Sequence, residues 1–310
     1  MPIAVAAACL ALLVQAQEAP RPIALRFAWG PSGSVRVREV LAREGTDVEK
    51  SYALRWGARE GGGEGELVLA FEGVAVERYG GRPATDPEVA KALAQVAPVL
   101  EAMPKWRIGG DGRFLGLDDV EASLERLVEA QAKAGLLDPE REAGAARAMI
   151  ADPALRRALE ERSAEAWKLW AGGWAGVEVL PGAETTIESQ IEIGARRVPV
   201  RTVVRCLEEL ERDGARCVEL SARTLLQGEG YVRAVEDVLV KVSGGAAAKV
   251  ASARKEIVYD GVWEVATLRP REATSTVADT LTLEGGLPQR RTEKHAYLFE
   301  WPKAEAAAPR

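Results

Sequence analysis

Three of the chain's eight tryptophans, Trp167, Trp170 and Trp174, fall within the stretch WKLWAGGW. Their spacings of three and four put them on one stripe of a helix that Gly172-Gly173 would end. Rings of this size, each burying on the order of 150–250 Å², suit two purposes. They anchor a helix end in a core, or they line an apolar ligand cleft where helices meet a curved sheet. Both readings stay open at this level.

Other side chains with chemical potential are few. His295, in EKHAYLF, is the single histidine of the chain. That removes histidine-rich zinc sites and leaves one candidate base for a Ser-His or Cys-His pair. A lone strand histidine reads first as a structural or exposed residue. Of the cysteines, Cys206 and Cys217 flank LEELERDGAR, whose Asp213-Gly214 is a hairpin turn signal. Two cysteines on adjacent strands of one hairpin, in an oxidising compartment, predict a Cys206–Cys217 disulfide. Their spacing suggests neither a dithiol redox site nor a zinc ribbon.

The glycine stretch at Gly61 lacks the Lys-Ser or Lys-Thr of a phosphate loop. Gly30-Pro31-Ser32-Gly33-Ser34 leads into a strand, whereas a serine nucleophile elbow needs strand, turn and helix. Ser252-Ala253-Arg254-Lys255 matches S-x-x-K but lies in a strand pattern without companion motifs. Asp111, Asp118 and Asp119 miss the calcium-loop spacing. No spacing among the 47 acidic residues singles out a catalytic pair. The expectation is a non-enzyme without cofactor or metal.

The first sixteen residues, MPIAVAAACLALLVQA, contain an apolar run too short to span a bilayer. The run closes on Val14-Gln15-Ala16, a small-x-small pattern suited to signal peptidase. We expect a signal peptide over residues 1–16 and export to the periplasm or beyond, with no transmembrane segment in the mature chain. Lipidation at Cys9 is the weaker alternative, because only eight residues precede it. A net charge of −6 gives no global footprint for nucleic acid.

The elements fall into three zones. From 23 to 79 the pattern is strand-like, with Val35 and Val37 alternating with Arg36 and Arg38. From 86 to 173 it is helical. Asp86-Pro87, Asp138-Pro139 and Asp152-Pro153 pair a capping aspartate with a first-turn proline, and Asp118 with Glu121 resembles a capping box. Between two of these helices, Gly110-Asp111-Gly112 centres a small hairpin. From 177 to 301 the segments ETTIESQIEI, VPVRTVVRCLEEL, ARCVELSARTLL, YVRAVEDVLVKV, AKVASARKEIVY, VWEVATL, TSTVADTLTLE and RTEKHAYLFEW read as strands of an antiparallel meander.

These zones predict an α+β fold with one domain over residues 17–302. A large, curved, partial-barrel-like antiparallel sheet of about 11–12 strands carries a helical insertion of about four helices on one face. Residues 303–310 form a tail. The layout is reminiscent of periplasmic lipoprotein and lipid carriers, at the level of fold alone. The expected function is non-catalytic binding of a lipid or other hydrophobic ligand, or of an envelope protein. A structural envelope module without ligand and a hydrolase with a carboxylate pair assembled in space are the alternatives.

Overall fold

The computed structural model describes residues 21–133, 135, 144, 148, 151–243 and 249–302, with backbone only for 95–101. The leader, Asp138-Pro139 and the tail lie outside the described residues.

The fold is a large antiparallel sheet with helices on it. In chain order the strands are β1 (Ile23–Ala24), β2 (Ser32–Arg43), β3 (Thr46–Ala58), β4 (Leu67–Tyr79), β5 (Arg82–Pro83), β6 (Lys105–Ile108), β7 (Phe114–Asp118), β8 (Glu178–Val179), β9 (Glu184–Ile193), β10 (Arg196–Arg212), β11 (Ala215–Leu226), β12 (Val250–Glu264), β13 (Pro270–Leu283) and β14 (Gln289–Glu300). The helices are α1 (Pro87–Glu101), α2 (Val120–Lys133), α3 (Pro153–Trp167), which runs into a π turn over Lys168–Gly172, and α4 (Glu229–Val242). The main sheet has 12 strands in the order β7-β6-β4-β3-β2-β14-β13-β12-β11-β10-β9, with β5 beside β4. It does not close; its ends are β7 and β9.

The N-terminal strands complete the sheet of the C-terminal ones through β2 and β14, where Val37 faces Phe299 and Glu39 faces Tyr297. Separately, β1 pairs with β8, which carries Leu25 and Trp29 into the core. The β6–β7 hairpin turns at Gly110 to Gly112 and joins the sheet beside β4.

Two helices start as their sequences require. Asp86 accepts a hydrogen bond from the Glu88 amide at 3.1 Å, and Asp152 accepts one from Ala154 at 2.8 Å, each followed by proline. Asp118 does not cap α2: it ends β7 and accepts from Arg59 Nε at 3.3 Å. The chain turns instead at Asp119, in the left-handed region with φ 53°.

Two other sequence expectations are corrected. YVRAVEDVLVKV is helix α4, not a strand. Its many valines carry β propensity, but Tyr231, Ala234, Val235, Val238 and Leu239 repeat at helical spacing, and Tyr231 and Ala234 are buried. The segments read as AKVASARKEIVY and VWEVATL are not separate strands: Val250–Glu264 is one strand, β12, running straight through Asp260-Gly261. Gly261 is there for close approach: an added Cβ would lie 2.3 Å from the Glu272 carbonyl and 2.8 Å from the Trp263 ring.

The sheet face that bears the helices carries two cores. The larger holds Leu25, Trp29, Leu54, Ile108, Leu220 and the tryptophans of the π turn. The smaller, under α4, holds Val198, Val200, Leu226, Tyr231, Ala234, Val250 and Ala253.

Candidate functional site

Trp167, Trp170 and Trp174 are buried, at 0, 1 and 5% exposure. Trp167 donates its indole N–H to the Gly112 carbonyl at 2.7 Å, and the Trp170 carbonyl accepts from Trp263 at 2.6 Å. Trp170 packs on Trp106 with centroids 5.1 Å apart, and on Tyr297 and Phe299 at 5.4 and 5.6 Å. The π turn is closed by the Gly173 amide donating to the Lys168 carbonyl at 3.0 Å. Only glycine fits at 172, where a Cβ would meet the Trp167 ring at 2.5 Å. The stretch that looked like a platform is interleaved with rings from the sheet.

Cys206 and Cys217 are buried free thiols, so the expected disulfide is not formed. The Asp213-Gly214 turn is present, with both residues at positive φ (50° and 75°). However, Cys206 lies opposite Leu220, and Cys217 opposite Leu210, with a register shift between Cys206 and Glu208. Cys206 shares the core face with Leu220, whereas Cys217 falls in the odd phase of β11, opposite in facing to Val218 and Leu220.

Beside the tryptophan core lies a polar cluster that the sequence did not single out. Glu39 on β2, only 6% exposed, accepts from Lys50 Nζ at 3.0 Å and from the Tyr52 hydroxyl at 3.3 Å. His295 Nδ1 is 3.6 Å from Glu39 Oε1, and its Nε2 is 3.1 Å from Glu293 Oε1. The Tyr297 hydroxyl is 3.4 Å from the same Nδ1. The register explains the gathering: Glu39 faces Tyr297 and Lys50, so neighbouring inward positions of β2, β3 and β14 meet on one face. A period-two signal was available. Glu39 occupies the inward phase after Val35 and Val37, and Glu293, His295, Tyr297 and Phe299 are in phase on β14.

The electrostatics favour a charged imidazole between two carboxylates. Burial alone would push Glu39 up, but His295 and Lys50 outweigh it and hold the carboxyl below its ordinary value. The Glu39 contact, against the opposing pull of burial, raises His295, and Glu293 adds to that. His295 in turn lowers Glu293. Burial, then the charge of Glu39, keeps Tyr52 and Tyr297 protonated far above the usual range. The cluster offers a structural ion network; both carboxylates are held ionised by partners rather than poised to take up a proton near neutrality.

Between the two cores runs a strip of the same sheet face. Its floor, strand by strand, is Ile187, Thr202, Thr224, Ile257, Val277 and Glu293, each opposite the next in register. Thr202 and Thr224 hydroxyls are 2.7 Å apart and satisfy one another. Ile257 packs toward the smaller core and its neighbour Tyr259 toward the larger. Among the described residues, neither Ile187 nor Val277 packs into either core. Ile187 is 46% exposed, and Ile257 and Val277 are half-buried. On one side α3 borders the strip, its Glu165 carboxylate 3.5 Å from the Tyr259 hydroxyl, whose pKa burial and Glu165 push up to about 12. On the other side stands α4. At the β14 end the strip becomes charged: Arg291 is 2.9 Å and Arg43 3.9 Å from Glu293.

Two surface clefts lie elsewhere. One of about 380 Å³ is lined by Arg196, Arg197, Glu229, Gly230 and Arg233, and one of about 490 Å³ by Glu209, Leu210, Glu211, Gly214 and Arg216. No group of three or more metal-type ligands occurs among the described residues, and no described helix is long and apolar enough to cross a membrane.

No protein-family model matches the chain, and no curated protein sequence matches it. Among solved structures it is similar to one titled "Lipid-protein interactions in lipovitellin", at 11% identity and a TM-score of 0.35. The match covers 94% of this chain and 26% of that one, so the chain spans about a quarter of the other's length. A likeness this distant transfers neither fold nor function.

Proposed function

We propose that this is an exported, non-catalytic binding protein of the bacterial cell envelope that holds an amphipathic ligand along the strip between its two cores. The single observation behind this reading is the strip itself. Exposed Ile187 and half-buried Ile257 and Val277 lie in line on the sheet face between the two cores, and the line ends in Arg43, Arg291 and Glu293. From β9 to β13 is four strand spacings, about 19 Å at ~4.8 Å each, a length suited to a long acyl chain. The floor, with Ile187, Ile257 and Val277 flanking the mutually bonded Thr202 and Thr224, would take the chain and the charged end a polar head group. Covering half-exposed apolar surface is the driving force, at about 25 cal/mol per Å² before the cost of ordering the ligand. The filled tryptophan core argues against a ligand cleft at Trp167, Trp170 and Trp174. Export is part of the proposal and rests on the leader pattern.

The test is native mass spectrometry of the protein purified from its own cell envelope, followed by organic extraction. The reading expects a co-purifying amphiphile with a long hydrocarbon chain, released by extraction without unfolding the protein. A ligand-free mass, together with no binding of added palmitate, contradicts it.

A further inference from the structure

The sheet ends on one side at β9, which pairs with β10 and, among the described residues, with nothing beyond it. This edge is 10 residues long, and its first seven residues are exposed. Apart from three glutamates, it lacks the usual protections of an exposed edge. It contains no proline and no lysine, and its pairing with β10 shows no bulge.

The hairpin geometry fixes which backbone groups face outward. Ile193 and Arg196 close a two-residue turn at Gly194-Ala195, and the closing pair of such a turn exchanges both hydrogen bonds. Odd-numbered residues of β9 therefore bond to β10, and the N–H and C=O groups of Glu184, Thr186, Glu188, Gln190 and Glu192 point away from the sheet. Pro199, opposite Gln190, agrees with this phase. Having no N–H, it fits where the N–H would face away from β9 and before the β11 ladder begins at Arg201.

The same even residues carry their side chains on the face away from the helices, so three glutamates line that side of the edge. Arg205 pairs with Glu184 at 2.7 Å and Arg197 with Glu192 at 3.3 Å, both from the β10 side. Arg201, opposite Glu188, bonds to Thr186 Oγ1 instead. Glu188 has no ion-pair partner among the described residues. On the helix-bearing face the edge shows Ile187, with Val238 of α4, 37% exposed, beside the Gly194 turn.

We propose that the β9 edge is a docking site for an extended segment of another protein, which adds as a further strand. The segment alternates lysine or arginine with apolar residues. Its basic side chains would lie beside Glu184, Glu188 and Glu192, and its apolar ones beside Ile187 and Ile191. A second copy paired edge to edge in the centred antiparallel register would set Glu184 against Glu192 and Glu188 against itself, which is destabilising. Main-chain bonding supplies affinity and the alternate side chains supply selection. The backbone and glutamate contacts of this site are separate from the strip, which meets the edge at Ile187.

The test uses the full chain and an acetylated peptide of alternating lysine and valine long enough to span β9, with an alternating glutamate–valine peptide as counterpart. Hydrogen exchange should show new protection at residues 186, 188, 190 and 192 with the lysine peptide alone. Gln190→Pro, which removes an outward donor without touching the β10 ladder, should weaken binding about tenfold. Replacing Glu184, Glu188 and Glu192 with glutamine, which leaves the backbone intact, should weaken it at least as much. Binding that is insensitive to both variants, or protection located elsewhere, overturns the proposal. So does sedimentation showing a dimer whose β9 amides are protected without peptide.

Discussion

His295 Nδ1 lies 3.6 Å from Glu39 Oε1 across the junction of β14 and β2. These two strands join the N-terminal and C-terminal parts of the sheet, so the contact ties together segments far apart in sequence. It also has a pH signature. His295 is raised in the folded protein, so its contribution is fully present below the unfolded value of about 6.5 and is lost as pH rises through the folded value. Glu39 and Glu293 are lowered, so theirs is present above about 4.3 and is lost as pH falls through their folded values. Melting temperatures should therefore fall on both sides of a mildly acidic optimum. His295→Gln should abolish the loss on the alkaline side. NMR titration of the imidazole checks the cause: a midpoint at or below 6.5 contradicts it.

The thiols give a second prediction. Burial pushes both Cys206 and Cys217 up, and the register keeps them apart. Both should label with a thiol reagent only when the protein is unfolded, and reductant should leave the melting temperature unchanged. A linked pair in non-reducing peptide maps of the protein purified from its native cells would contradict the register.

Trp170→Ala removes a ring that touches Trp106, Tyr297 and Phe299. It should cost about 3–5 kcal/mol. Gly261→Ala, forcing a Cβ to 2.3 Å from the Glu272 carbonyl, should cost about 1–3 kcal/mol through strain. Denaturant unfolding measures both. Variants that melt like the wild type would mean the aromatic core is looser than its ring contacts imply.

Much of this fold was legible because period-two alternation and aspartate–proline caps act locally. Val35, Val37, Asp86 and Asp152 each do what their neighbours in sequence suggest. Where reading failed, a tertiary cause competed. The valines of α4 carry β propensity, and only packing of Tyr231 and Ala234 against Val198, Val200 and Leu226 decides for helix. Gly261 resembled a turn because the Trp263 ring that needs its missing Cβ cannot be seen in a linear string. Cys206 and Cys217 were separated by a bulge and a one-residue change of phase, which composition does not report. The Glu39–His295 cluster and the strip were hidden for the same reason. The cluster joins β2 to β14, neighbours in the sheet and not in the chain, and the strip depends on the exact registers of the successive strands β9 to β14.

The central claim is that the strip between the cores holds an acyl chain. Titration of palmitate into delipidated protein, followed by displacement of a fluorescent fatty acid, tests it most directly when wild type is compared with Val277→Asp. Val277 lies at the end of the apolar stretch, opposite Glu293, and outside both cores, so the substitution leaves both cores in place. A charge there should weaken binding at least about tenfold, the equivalent of roughly 1.4 kcal/mol, with an unchanged melting temperature. Equal affinity in the two proteins, or no displacement in either, would contradict the account.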